Sequence, residues 1–207
     1  MSAAHFERFR RSFLGDGREA ARDGLDLDAL AGLDDGERSM AEAILLGRLA
    51  LDDDRAAAGL GALRTERAAP LLREKMDALR GDAATPSAQR LLTVALALWQ
   101  VAEDRDAFDA MVEVLQRCPI FTIRRAAAEA LGGVHLPESA QALLAAQLDG
   151  EGLVRHAAAL SLLRLHGVPT SPPPALVWEV MSADPAVRER ATRDLVSAVL
   201  ARPDAAP

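Results

Sequence analysis

Tyrosine and asparagine are absent from this 207-residue chain, Lys75 is the sole lysine among 24 basic residues, and Cys118 is the sole cysteine. One cysteine excludes an internal disulfide and suits a reducing compartment, so the cytoplasm is the expected location. Aromatic residues are only 3% of the chain. No apolar run is long enough to span a bilayer, and residues 1–13 carry arginines without the apolar core of a secretory signal. The net charge of −7 disfavours a duplex-binding surface, which needs several phosphate-neutralising cations on one face. No glycine loop suited to phosphate is present, and no serine stands in a nucleophile elbow.

What the chain does have is alanine and leucine, within an apolar half. Both favour helices over strands, which predicts an all-α chain. A phrase also recurs. Ile123-Arg124-Arg125-Ala126-Ala127-Ala128-Glu129-Ala130-Leu131 returns 31 residues later from Val154 to Leu162, and more weakly 33 residues after that from Val187 to Leu195. Such a period means stacked helical units, none able to bury its own apolar face alone. Leu131, Leu162 and Leu195 hold equivalent places and are predicted to be core.

Between Glu37 and Ala201 the chain reads as helix, turn, helix, about five times over. Met40, Ile44, Leu45 and Leu49 form the apolar stripe predicted for the first of these helices. Asp52-Asp53-Asp54 reads as a solvated turn, since it lacks the glycine and distal glutamate of a calcium loop. Thr122 is the expected N-cap of the helix carrying the first phrase, with Phe121 outside it as a staple. Residues 1–36 stand apart. Phe6, Phe9 and Phe13 share one helical face there, which predicts a cap over the end of the stack, a partner-docking helix being the rival reading. The domain expectation is a cap over 1–36 and a repeat array over 37–207, continuous with it.

The phrase, preceded by an Asp-containing turn as in Leu148-Asp149-Gly150-Glu151 and Ala183-Asp184-Pro185, resembles the HEAT repeat. More narrowly, it is similar to the short bacterial HEAT-like repeats of phycobilin lyases. The resemblance is clear over about residues 105 to 200 and weaker over 37 to 101. It implies a right-handed α-solenoid and a bacterial adaptor or scaffold. It also implies a ladder of turn aspartates and helix arginines, with Asp149 beside Arg155, Asp184 beside Arg188, and Arg124 as the matching arginine. These arginines could instead form an anion-binding stripe; the ladder is preferred, because a partly buried arginine needs an acceptor.

The positions next along the helices are Arg125, His156 and Glu189, then Glu129, Leu160 and Arg193. They are expected to form a mixed-charge concave face with one exposed leucine, as protein interfaces tolerate. The expected partner is therefore a protein. Nucleic acid and membrane are disfavoured, the expected state is a monomer or weak oligomer, and no catalytic residue, metal or cofactor is assigned. His135 and His166 are equivalent positions near helix ends, and His156 is too far along its helix from His166 to share an ion with it. Trp99, followed by Glu103 and Asp104, invites comparison with HEAT-like DNA glycosylases for alkylated bases, but is expected to be core. A chromophore lyase and an antitoxin-like immunity protein are further rivals to the adaptor.

Overall fold

The computed structural model describes residues 3–15, 25–80, 85–171 and 173–201, and helices are its only regular elements there. The expected frayed tail, 202–207, lies outside the described residues, as does most of the connector expected at 81–86. The chain divides into two compact units, Met1–Ala110 and Met111–Pro207.

In the first unit, α1 (Ala3–Phe9) runs into a π-helical turn over Arg10–Leu14, and α2 (Leu27–Ala31) packs on α1. Phe9 and Phe13 are fully buried, their rings 5.5 Å apart, while Phe6 is half-buried. Helix α3 (Asp35–Ala50) begins two residues before Glu37, because Asp34 and Glu37 close a capping box at 2.9 and 3.2 Å. Its buried row is Ala41, Leu45 and Leu49. Met40 is 51% exposed, contrary to its expected place in the stripe, since it falls about 100° around the helix from Ala41.

Next come α4 (Asp54–Leu63), α5 (Ala69–Arg80) and α6 (Thr85–Ala102). Helix α3 packs on α4, α4 lies along α6, and α5 packs on α6. The α4–α6 crossing is close: a Cβ at Gly61 would stand 2.8 Å from the Ala97 Cα. Three helix ends in this unit turn through left-handed residues other than glycine, Asp52 (φ 62), Arg64 (φ 52) and Glu103 (φ 48). The acidic run is not a bare solvated turn. Asp53 caps α4 and pairs with Arg55 at 3.1 Å, Asp54 takes Arg90 at 3.0 Å, and Asp52 takes Lys75. Helix α7 (Arg105–Arg117) spans the division between the units.

In the second unit, α8 (Phe121–Leu131), α10 (Gly152–Leu165) and α12 (Pro185–Leu200) carry the three copies of the phrase and lie side by side. The return helices α9 (Pro137–Ala145) and α11 (Ala175–Glu179) pack against α10 and α12. Leu131, Leu162 and Leu195 are all fully buried. Small residues let α8 and α10 approach: a Cβ at Gly132 would lie 3.1 Å from the Ser161 Cα. Helix α8 starts one residue before Thr122, with Ile120 at the cap position and no side-chain cap. Thr122 is exposed and Phe121 is 36% exposed inside the helix, so neither plays its expected part. The preceding turn is held instead by Arg124.

Candidate partner-binding face

The arginine of each phrase copy does the same local job. Arg124 donates through Nη1 to the Cys118 and Pro119 carbonyls at 2.8 and 3.2 Å. Arg155 donates to the Asp149 and Gly150 carbonyls at 2.6 and 3.1 Å. Arg188 donates to the Ser182 and Ala183 carbonyls at 2.9 and 2.8 Å. Each guanidinium thus ties down the turn that leads into its own helix, satisfying carbonyls left over where the previous element ends.

The other edge of the guanidinium reaches ahead. Arg124 grips both Asp149 oxygens with Nε and Nη2, at 2.8 and 2.9 Å. Arg155 points the same two groups at the Val180 and Met181 carbonyls, at 2.7 and 3.4 Å. The ladder implied by the resemblance therefore exists with different rungs. Asp149 receives Arg124, and Arg155 meets only the Asp149 backbone. Asp184 caps α12 through the Ala186 amide at 2.9 Å and does not pair with Arg188. The acceptors lie 25 or 26 residues ahead, so the side chain's forward reach across the hairpin decides the pairing. Burial pushes the Asp149 carboxyl up, but the Arg124 hydrogen bonds, the Glu151 amide and the two arginine charges outweigh it and leave it below the ordinary carboxylate range. Burial and the nearby Arg188 charge lower the Arg155 pKa.

On the neighbouring face, α8 and α10 bring three of the six expected contact residues together. Arg125 and Glu129 form an i,i+4 pair at 3.7 Å, both about half exposed. Glu129 acts electrostatically on His156. The His156 ring lies 4.8 Å from the indole of Trp178 on α11, centroid to centroid. Its Nε2 is buried without a hydrogen-bond partner. Leu160, one turn along, is half-buried rather than exposed. Glu189 and Arg193 are exposed on α12, and among the described residues no hydrogen bond or ion pair joins them to this cluster. Trp178 is the residue that periodicity missed. It is 54% exposed, and the available signal was a lone indole in a short return helix behind the prolines at 172–174.

His156 makes stability depend on pH. Burial lowers its pKa from the ordinary 6.5, and Glu129 opposes this only in part. Above the unfolded value neither state is protonated and the full stability is present. As pH falls below it, the unfolded chain takes up the proton first, and stability drops until the folded pKa is passed. Urea midpoints should therefore decline from about pH 7 to about pH 5, and less steeply in His156→Gln.

Elsewhere, Trp99 is half-buried rather than core. It leans on Phe108 at 6.2 Å, which also carries the Arg105 guanidinium at 4.7 Å. Asp104 caps α7 through Ala107 and pairs with Arg73. His135 is exposed, and His166 sits at the end of α10 with Nδ1 3.0 Å from the Leu162 carbonyl. No helix among the described residues is long and apolar enough to cross a membrane.

A family model described as HEAT repeats matches residues 76–163, and one described as PBS lyase HEAT-like repeat matches residues 54–78. The matches begin well before residue 105, on α4 and α5, where the repeat was hard to see in the sequence. No curated protein and no solved structure gives a significant match to the chain.

Proposed function

Because the chain is a HEAT-like repeat protein, we propose that it is a non-enzymatic adaptor of a bacterial cytoplasm, holding a protein partner on the face made by α8, α10 and α11. The observation that carries this reading is Trp178. A half-exposed indole braced by a half-buried histidine is a rigid apolar anchor, and such anchors supply much of the energy at protein interfaces. The Arg125–Glu129 pair beside it provides a polar rim of both signs. Leu160 adds apolar area, and Glu189 and Arg193 extend the charged surface on α12.

Affinity capture with the full chain, followed by cross-linking, tests the reading. Cross-links should map to α8, α10 and α11. Trp178→Ala should weaken partner binding at least about tenfold without loss of helicity. Reversing charges with Arg125→Glu and Glu189→Arg should weaken it further. A partner that binds all three variants as well as the parent would show that this face is not the one used.

A further inference from the structure

Arg124, Arg155 and Arg188 occupy one position in three copies of the same phrase, yet they differ on their outer edge. Arg124 offers Nε and Nη2 to a carboxylate, and Arg155 offers them to two carbonyls. Arg188 uses Nη1 alone, and among the described residues nothing accepts from its Nε or Nη2. The helix around it shows the same contrast. On α10 the row following Arg155, Ala159 and Leu163, is fully buried. On α12 the matching row, Thr192 and Val196, is only half-buried, and Leu200 beyond it is 71% exposed. Asp184 is turned away to cap its own helix, so the second Arg188 edge has no carboxylate from its own turn. The Arg155 guanidinium close by adds positive charge and is itself bonded only to carbonyls.

We propose that the outer edge of Arg188 is a carboxylate site, taking an acidic side chain on a turn of a helical protein partner whose apolar side covers Thr192 and Val196. The proposal rests on the adaptor reading and gives the partner a chemistry. The pattern for it is inside the molecule: the same edge on Arg124 already holds Asp149 with two parallel hydrogen bonds, and α8 is covered there by the following hairpin. Paired N–H donors in a fixed fork match a carboxylate better than they match an amide, which presents one acceptor.

The full chain labelled with [15N]arginine allows a direct test through its Nε–Hε resonances. The probe is an acetylated, amidated peptide of residues 148–152, the turn that fills the Arg124 edge. The control is the same peptide with both acids replaced by their amides. The Arg188 resonance, assigned by its disappearance in Arg188→Gln, should move saturably, with a Kd at least about fivefold lower for the acidic peptide. Arg124 and Arg155 should not move, because their edges are engaged. Arg188→Lys, titrated by calorimetry because the reporter is lost with the guanidinium, keeps the charge and should bind the acidic peptide more weakly than the parent does. Equal binding of the two peptides, or an equal response at exposed Arg193, overturns the proposal. Capture of a partner through Trp178 without acid selectivity at Arg188 would sink this site and leave the adaptor reading standing. Selectivity at Arg188 in a chain that captures no partner would support the carboxylate site and remove the adaptor reading.

Discussion

Replacing Arg155 with methionine should destabilise the protein by about 3 kcal/mol, read from urea unfolding. Arg155 is 7% exposed and its guanidinium serves four carbonyls, Asp149, Gly150, Val180 and Met181. An acceptor left buried without a donor costs about 1–3 kcal/mol, and the short bonds to Val180 and Asp149 matter most. Part of the loss is offset, because the substitution also removes a desolvated charge lying near Arg188. Lysine should rescue little, since one ammonium cannot present donors to both turns in the guanidinium's fixed fork. Arg188→Met is the matched control, and it should cost about 1 kcal/mol or less, having only the two carbonyls of its own turn to lose. Amide exchange in the turns at 149–152 and 180–183 should accelerate in Arg155→Met before the rest of the second unit responds.

Gly61→Val should cost a similar amount, about 3 kcal/mol, for the opposite reason. Arg155→Met leaves holes in hydrogen bonding, whereas a side chain at Gly61 has no space to enter. Its Cβ would meet the backbone of Ala97 at 2.8 Å. Backbone cannot swing aside as a side chain can, so α4 and α6 would have to move apart along their contact. Gly47 on α3 separates this effect from helix propensity. It is exposed in mid-helix, and a Cβ added there would meet nothing within 4 Å, so Gly47→Ala should stabilise by about 0.5–1 kcal/mol. If Gly61→Val matched Gly47→Ala in urea midpoint, the close crossing would be wrong.

The parts of the molecule legible in its sequence are those written by local periodicity. The repeated phrase placed α8, α10 and α12 and identified Leu131, Leu162 and Leu195 as core. The ladder arginines were visible for the same reason, but their acceptors were not. Arg124 and Asp149 are 25 residues apart, and nothing in so short a phrase says which turn a long side chain will reach. Helix boundaries failed where chemistry departed from habit. Thr122 looked like a cap, yet an arginine six residues beyond Cys118 secures that turn instead. Asp52, Arg64 and Glu103 end helices in the left-handed region where glycine is the usual signal. The exposure of Trp178 was hard to read because a single aromatic residue has no period; only its packing on His156 shows that it is held in place.

The rungs in the second unit also have a polarity. Arg124 and Arg155 each hold their own turn by short-range bonds and the next hairpin by long-range ones, so dependence runs one way along the row. Peeling α11 and α12 away would strip Arg155 of Val180 and Met181 but leave it anchored to Asp149 and Gly150, whereas among the described residues the α12 guanidinium of Arg188 bonds its own turn and that of Arg190 bonds Glu179. Mechanical unzipping from the Leu200 side would thus release one hairpin at a time, each departure leaving the remaining arginine still clamped at its base.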